Sequence, residues 1–367
     1  MKIIHWIGID DHADKWTIAQ LEGTGEKPSK EFELIPGDQG FRKLTRFLKD
    51  LGGEVRVVYE AGPCGYELYR RLRKTDIQCE VAAPSLTPRK PGERVKTNRR
   101  DAFKLARYNR SGELTLISVP DEDRESLRDL VRGRQAVQKD LVSIRHQILK
   151  LLLRYGHRYR DGKAWTARFS RWLESKSITL AGEYSTFVLE EMQVTLTARE
   201  EQLARFDEEI EQAACKPEYE PYVSALRVLR GIDTLSALVI LSELGDLRRF
   251  PTAPQLMAAI GLVPSEYSTG DKTNRFSITK AGNAHVRHIA IQAAWQYQRR
   301  PGEGRTLHRR RQSQSQELIE IARKCDRRLN RKFSRMTGRG KRSVIAAVAV
   351  ARELIGFIWA VGQVVHP

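Results

Sequence analysis

Residues 1–83 switch between two hydrophobic periods. Some segments alternate apolar and polar residues or are continuously apolar over the length of a strand, and these patterns predict β-strands. Other segments repeat an apolar residue every three or four positions, which predicts amphipathic helices. In chain order we predict strands at 3–10, 16–22 and 30–35, a helix at 41–51, a strand at 55–60, a helix at 66–74 and a strand at 78–83. The order βββαβαβ indicates an α/β domain.

Two later segments carry a narrow heptad stripe. One stripe runs over 130–155 and the other over 189–213, and each is interrupted by a single arginine, Arg134 in the first and Arg199 in the second. We expect two long helices that pair in antiparallel fashion. The pattern leaves open whether they pair within one chain or with another copy, because neither stripe goes much beyond the length that identifies a coiled coil.

The segments around and beyond this heptad region predict the domain organisation. A Pro- and Arg-rich link at 84–98 follows the α/β domain, and short helices follow the break at Lys216-Pro217. The apolar stretch 344–365 has Arg352-Glu353 at its centre, where charges would be costly in lipid, so we expect a buried terminal helix and no membrane partner. We predict an α/β domain, a long helical coiled-coil region and a mostly helical C-terminal domain, at 1–122, 123–215 and 216–367.

The charge is large and local. The chain has 64 Lys and Arg against 46 Asp and Glu, a net charge of +18. Residues 299–342 hold 16 Lys and Arg against 4 Asp and Glu, so 16 − 4 = +12 of that charge falls in one segment. Because such a run repels itself unless an anion neutralises it, a polyanion is the expected partner, and nucleic acid is the commonest polyanion. The N-terminus resembles no secretory signal, which predicts a cytoplasmic protein.

Three acidic residues stand at the ends of predicted elements. Asp10 ends the first strand, Glu60 ends the fourth, and Asp101 opens a helix after the basic link. If these carboxylates converge at one sheet edge, they offer the hard oxygen ligands that Mg²⁺ prefers, and two Mg²⁺ ions suit phosphodiester chemistry.

Two sets of motifs carry a resemblance to a known family. The N-terminal set is Gly8-Ile9-Asp10, Tyr59-Glu60-Ala61 and 96–102, and the C-terminal set is 261–264, 268–270, 278–283 and Arg287. In order and spacing they resemble the transposases of insertion-sequence family one-ten. The resemblance covers nearly the whole chain.

The resemblance implies a fold, a reaction and partners. The fold is an RNase H/RuvC-like DEDD domain followed by a C-terminal transposase domain. The acids Asp10, Glu60 and Asp101 bind Mg²⁺, and a C-terminal serine attacks a DNA phosphate to form a covalent intermediate. The implied partners are double-stranded DNA and a non-coding bridge RNA that pairs with target and donor DNA. Strand exchange needs at least two active sites, so a homo-oligomer, dimer or tetramer, is expected in the bacterial cytoplasm, associated with the nucleoid.

The chain departs from the family pattern at two places. Asn98 replaces the fourth acid, and its carbonyl can ligate Mg²⁺ but brings no negative charge, so a second metal should bind more weakly unless Asp11 or Asp14 compensates. Thr269 precedes Gly270 where many relatives have serine. We predict Ser268 as the nucleophile and keep Thr269 as the alternative.

The remaining candidate site residues would hold phosphate or nucleic-acid backbone. They lie beside the predicted serine or in the basic run: Lys272, Arg275, Lys280, Asn283, Arg287, Arg309, Arg310 and Arg311.

Two other functions compete with a recombinase. The acids could activate water in a RuvC-like, metal-dependent junction endonuclease that leaves the serine idle. Alternatively the chain could be a nucleic-acid-binding protein whose catalytic site has decayed through Asn98.

Overall fold

The computed structural model of the chain describes residues 3–88, 97–175, 178, 180–269 and 272–365, and it leaves the side chains at five strand positions near 270 undescribed (Ser268, Thr269, Lys272, Thr273 and Arg275). The chain forms two units, Met1–Pro120 and Asp121–Pro367, each with hydrophobic clusters of its own. The predicted helical region and the predicted C-terminal region therefore belong to one unit. The chain is mixed α/β at its N-terminus and mostly helical overall.

The seven elements predicted for residues 1–83 are all present, with bounds that differ by a few residues at most. The first unit contains β1 (Ile4–Asp11), β2 (Trp16–Glu22), β3 (Lys30–Leu34), α1 (Asp38–Asp50), β4 (Glu54–Glu60), α2 (Glu67–Lys74), β5 (Gln78–Ala82) and α3 (Asn98–Ser111).

The five strands form one sheet in the order β3-β2-β1-β4-β5. Strands β1, β2 and β3 pair antiparallel, whereas β1, β4 and β5 run parallel. Helices α1 and α2 cover one face, where Leu44 and Leu72 share a hydrophobic cluster with Ile7 of β1, and α3 covers the other face. Because helices cover both faces, the central strands are buried and read as apolar runs.

Helix α3 lies unusually close to β1, and this contact sets its direction. A Cβ on Gly8 would lie 1.9 Å from the carbonyl oxygen of Ala102, so only glycine fits at position 8. At the other end of α3, Arg110 donates hydrogen bonds to the carbonyls of Gly23 and Gly25, and Gly23 bonds to Ile4 at the start of β1. The N-terminal turn of α3 therefore lies at the end of β1, beside Asp10.

The described part of the second unit is built from helices and a hairpin. It contains α4 (Glu122–Arg154), α5 (Ala167–Leu173), α6 (Glu183–Ala214), α7 (Glu220–Leu226), α8 (Thr234–Leu244), α9 (Ala253–Ala259), β6 (Pro264–Thr269), β7 (Lys272–Ile278), α10 (Ala284–Ala294), α11 (Arg305–Gln312), α12 (Gln316–Gly338) and α13 (Ser343–Val364), with 3₁₀ helices at Leu247–Arg249 and Trp295–Gln298.

The two heptad helices, α4 and α6, pair antiparallel within the chain. Arg134 of α4 forms a bidentate ion pair with Asp207 of α6, at 2.6 and 3.3 Å. Arg199 of α6 lies 3.8 Å from Asp140 of α4. The two arginines that interrupt the stripes therefore each meet an acid of the opposite helix, and of the two alternatives the pairing within one chain is present.

Helix α13 is the predicted buried terminal helix. Among the described residues it is the single helix long and apolar enough to cross a membrane by length and composition. Nine of its residues, from Ala346 to Gly362, are buried in the core of the second unit. Its central Glu353 forms ion pairs with Arg328 and Lys332 of α12.

Candidate active site

Asp10 and Glu60 lie side by side at one edge of the sheet. Strands β1 and β4 are parallel, with Ile9 opposite Tyr59, so the next residues in each strand are neighbours. Side chains two positions apart share a face of a strand. Asp10 therefore shares the face of Gly8, against which α3 packs, and Glu60 shares the face of Val58, which clusters with Leu105 of α3.

The first turn of α3 brings the other two candidates to the same place. The Thr97 hydroxyl caps this helix by accepting a hydrogen bond from the amide of Arg100. Residues four apart lie above one another on a helix. Asp101 therefore lies one helical turn before Leu105, on the side of the helix nearer Glu60. Asn98 lies one turn before Ala102, on the side nearer Asp10.

The four predicted ligands thus share one edge and one face of the sheet, although among the described residues no three His, Cys, Asp or Glu side chains approach closely enough to hold a metal ion together. Two cationic or ionisable groups border them. Nε2 of His12 lies 3.4 Å from Asp10, and Nζ of Lys104 lies 3.6 Å from Asp101. Three carboxylates and an amide carbonyl are the hard donors that a divalent cation takes, so the donor chemistry fits.

Asp11 and Asp14, the two acids that could compensate for Asn98, have different surroundings. Asp11 points to the opposite face of β1, where Trp16 Nε1 donates a 2.8 Å hydrogen bond to it and where burial raises its pKa. Asp14 is exposed in the turn before β2. Compensation for the charge missing at Asn98 by Asp11 or Asp14 therefore stays a prediction, with Asp11 on the face of β1 opposite to Asp10.

The two candidate nucleophiles occupy the last positions of β6 in a β-hairpin that the sequence analysis did not predict. Ser268 pairs with Thr273 and Thr269 with Lys272 in the antiparallel register. The side chains of Ser268, Thr269, Lys272 and Arg275 lie outside the described part, and Ser268 and Thr269 stay alternatives. Next to them, the rings of Tyr267 and Phe276 are 70% and 62% exposed, so this hairpin presents aromatic surface.

The family-like motifs around residues 261 and 280 build the base of this hairpin. The amide of Thr279 donates to the carbonyl of Val263 at 2.9 Å, and the amide of Lys280 donates to that of Gly261 at 3.1 Å. Gly261 has φ +71°, and a Cβ there would lie 2.0 Å from the carbonyl oxygen of Ala281. Both its conformation and its surroundings therefore require glycine.

Asn283 fixes the hairpin base to the helices. Its side-chain oxygen accepts from the amide of Val286 and caps α10, and its Nδ2 donates to Glu243 of α8 at 2.7 Å. Both polar atoms of the side chain are thus used inside the protein, which argues against its predicted contact with phosphate.

Glu243, which sequence analysis missed, connects this base to α4. Its side chain is 1% exposed and forms a bidentate ion pair with Arg132 at 2.7 and 3.0 Å, and Arg128 lies 3.8 Å away. Burial raises the pKa of Glu243, but the hydrogen bonds from Arg132 and Asn283 outweigh it and hold the pKa below its ordinary value. The carboxylate is therefore charged and fully partnered.

The remaining predicted phosphate contacts divide by exposure. Lys280 is exposed, and Arg287 is partly buried with Nη1 donating to the carbonyl of Ile260 at 2.6 Å, where burial lowers its pKa. Of the predicted run, Arg309 is exposed, whereas Arg310 is partly buried and donates to the carbonyl of Ile232.

The prediction for Arg311 is wrong. Its side chain is buried and pairs with Asp326 at 2.9 Å and with Glu303 at 3.2 Å, and it donates twice to the carbonyl of Val228. A guanidinium with these partners stabilises the core and is not available to a nucleic acid.

Comparisons with known proteins agree with this architecture. Residues 7–157, which begin in β1 and run through α4, match a family model of DEDD transposases that is described as "Transposase". Residues 223–309, which include the hairpin and its base, match the family described as "Transposase IS116/IS110/IS902 family". A DEDD transposase domain implies dependence on a divalent metal.

Several curated bacterial proteins are similar over most of the chain. The putative transposase y4qE of Sinorhizobium fredii is 41% identical over 360 residues, which cover 98% of this chain and 88% of that protein. The transposase for insertion sequence element IS1533 of Leptospira borgpetersenii is 30% identical over 355 residues, 93% of this chain and 99% of that protein. The chain therefore belongs to the IS110 family of insertion-sequence transposases, enzymes that cut and rejoin DNA.

Proposed function

We propose that this transposase cuts and rejoins DNA through a covalent serine–DNA intermediate, with Ser268 as nucleophile and Thr269 as the alternative. Asp10, Glu60 and Asp101, with the carbonyl of Asn98, would hold Mg²⁺ in an RNase H/RuvC-like domain. The sheet order β3-β2-β1-β4-β5 is consistent with that fold, and the four residues at one edge support the ligand set.

The proposed step exchanges one ester for another. The Ser268 hydroxyl loses its proton as its Oγ forms a bond to phosphorus, and the bond from phosphorus to the leaving sugar oxygen breaks while that oxygen gains a proton. The energy of the broken phosphodiester is kept in the phosphoserine bond, so the reverse step rejoins strands without ATP. Bound metal would supply Lewis-acid stabilisation of the phosphate charge.

The observation that carries the proposal is the hairpin β6–β7 with two hydroxyl residues at the end of β6. Its base is fixed by backbone hydrogen bonds at Gly261 and Val263 and by the contact of Asn283 with Glu243. A nucleophile needs a fixed position more than a strong intrinsic reactivity, because orientation lowers the barrier. The exposed rings of Tyr267 and Phe276 on the same hairpin are suited to stack on DNA bases.

A covalent adduct tests the proposal. The protein is incubated with element-end DNA and Mg²⁺, denatured, and separated by electrophoresis. We expect a protein–DNA adduct in the wild type and in Thr269→Ala, and none in Ser268→Ala. Loss in Thr269→Ala alone would move the nucleophile to Thr269, and hydrolysed ends without any adduct would favour the metal-dependent junction endonuclease.

We also propose that the enzyme works as a homo-oligomer guided by a non-coding bridge RNA, on double-stranded DNA in the cytoplasm. The oligomer is supported by exposed apolar side chains on α6, among them Tyr184, Phe187 and Val194, which are 81%, 59% and 64% exposed. Light scattering gives the number of copies in the oligomer.

Sequencing of RNA that co-purifies with the protein tests the proposed guide RNA. We expect ribonuclease treatment to abolish the choice of target.

A further inference from the structure

Helix α12 carries a face of six basic side chains that the site described above does not include. They recur three or four residues apart, so they project from one side of the helix, and they line a shallow groove together with Glu353 of α13. This basic face consists of Lys324, Arg327, Arg328, Arg331, Lys332 and Arg335.

Little of this positive charge is balanced inside the protein. Arg328 and Lys332 pair with Glu353 at 2.8 and 2.7 Å. Within the described part of the chain the other four members form no ion pair, and all four are exposed. The acid in the middle of this segment, Asp326, is buried on the opposite side of the helix, where it pairs with Arg311.

The like charges of this face destabilise the folded protein when no anion is bound to it. Like charges three or four residues apart on a helix repel each other, and the repulsion falls when an anion binds between them. From Lys324 to Arg335 the face extends about 16 Å along the helix, a length that matches roughly five phosphates of one strand of a duplex. Four of the six cations are arginines, whose planar guanidinium binds phosphate in bidentate fashion.

We propose that the basic face of α12 is a binding surface for the phosphodiester backbone of double-stranded DNA. This inference rests on the proposed function only in that the enzyme acts on nucleic acid. It assigns to α12 the backbone contacts that the sequence analysis assigned to Arg310 and Arg311.

The salt dependence of binding tests the proposal. The variant Lys324→Gln/Arg327→Gln/Arg331→Gln is compared with the parent protein, both carrying Ser268→Ala so that no strand is cut. The probes are a random-sequence DNA duplex and an RNA hairpin with the same number of phosphates. We expect the slope of log affinity against log salt concentration to fall in magnitude by about 2 to 3, because each lost phosphate contact removes about 0.9.

The control removes the same charge elsewhere in the unit. Lys150, Arg168 and Arg205 are exposed on α4, α5 and α6, and their triple exchange to Gln should leave the slope unchanged. A fall with the DNA probe supports the proposal, and a fall confined to the RNA probe overturns it. An unchanged slope with both probes overturns the proposal.

Two further measurements keep the result clear. Thermal unfolding checks that the triple variant is folded, and if it is not, Arg331→Gln alone is measured, with an expected fall in slope of about 1. The adduct experiment with the unaltered serine is separate. A missing adduct would refute the serine mechanism and leave the α12 surface standing, whereas an unchanged slope would do the reverse.

Discussion

Glu243 shows how one buried charge can order a distant surface. It joins α8 to α4 through Arg132 and to the hairpin base through Asn283, so three parts of the second unit meet at one carboxylate. A buried charge is costly unless all its oxygens are partnered, and here they are. The position of the hairpin therefore depends on a residue that lies in neither of its strands.

Replacing Glu243 by Gln should lower the free energy of unfolding by about 2 kcal/mol, because Arg128 loses its charged partner in a largely buried place. Urea denaturation measures the change. The control is Glu208→Gln on the exposed side of α6, which should stay within about 0.5 kcal/mol of the wild type. Equal effects of the two exchanges would contradict the role given to Glu243.

The stability difference between the wild type and Glu243→Gln should depend on pH. The folded-state pKa of Glu243 is held below its ordinary value, so its stabilising contribution is present above the unfolded pKa and is lost as the pH falls through the folded pKa. The gap in unfolding free energy between wild type and Glu243→Gln should stay constant from neutral pH to about pH 5 and shrink below about pH 4.3. Urea titrations at a series of pH values measure this difference. If it does not change at acid pH, the stabilising role of the charged Glu243 is refuted.

Two neighbouring arginines of α11 should behave in opposite ways. Arg311→Ala removes the main partner of the buried Asp326 and should cost about 3 kcal/mol of stability. Arg309→Ala, on the exposed side of the same helix, should change stability by less than about 0.5 kcal/mol. Thermal unfolding of both variants compares them directly, and similar melting temperatures would show that the Arg311 pair contributes little.

Single residues were predictable where the local pattern defines their surroundings. Asp10 and Glu60 were expected at one edge because each ends a strand, and in the register they follow the pair Ile9 and Tyr59. Arg311 was misassigned because it follows Arg309 and Arg310 in a run of cations. Its buried partner Asp326 is reached only through the packing of α11 on α12. Glu243 gave no signal, because its partners lie far away in the sequence.

Among the elements, the long helices were predicted by their period, but their partner was not. An apolar stripe specifies that a face is buried and does not say against what. The choice is visible in the arginines: Arg134 and Arg199 each interrupt a stripe, and each meets an acid of the opposite helix.

The hairpin β6–β7 was not predicted for a physical reason. Its strands expose much of both faces, Glu266 and Tyr267 in β6 and Phe276 and Ser277 in β7 among them, so apolar and polar residues do not alternate. Strand prediction depends on one buried face. The hairpin is held at its base, and there the sequence did stand out, because Gly261 and the neighbouring motif residues resemble the family pattern.

At the base, Gly261→Ala should disturb the hairpin. Alanine at φ +71° is strained, and its Cβ would collide with the backbone of Ala281, so we expect a loss of about 1 to 3 kcal/mol in stability and a lower adduct yield in the folded protein. Gly302→Ala is the control, since a Cβ there meets nothing within 4 Å. An adduct yield equal to that of Gly302→Ala would show that the base of the hairpin does not contribute to catalysis.

For the whole molecule, the two units predict separate folding. Residues 1–120 have their own sheet and core, so this fragment expressed alone should unfold cooperatively. Circular dichroism during heating would measure it. A gradual, non-cooperative loss of signal would show that the first unit needs the second.

The position of α13 in the chain has a consequence for protein synthesis. This helix follows every other element of the core that it completes, and the apolar sides of α9, α10 and α12 pack against it. While the ribosome is still translating residues before 343, those sides have no cover and offer sites to chaperones and proteases. A gene copy with a premature stop codon upstream of that point would therefore yield a product that is degraded or aggregates, so damaged copies of the element would not supply working enzyme.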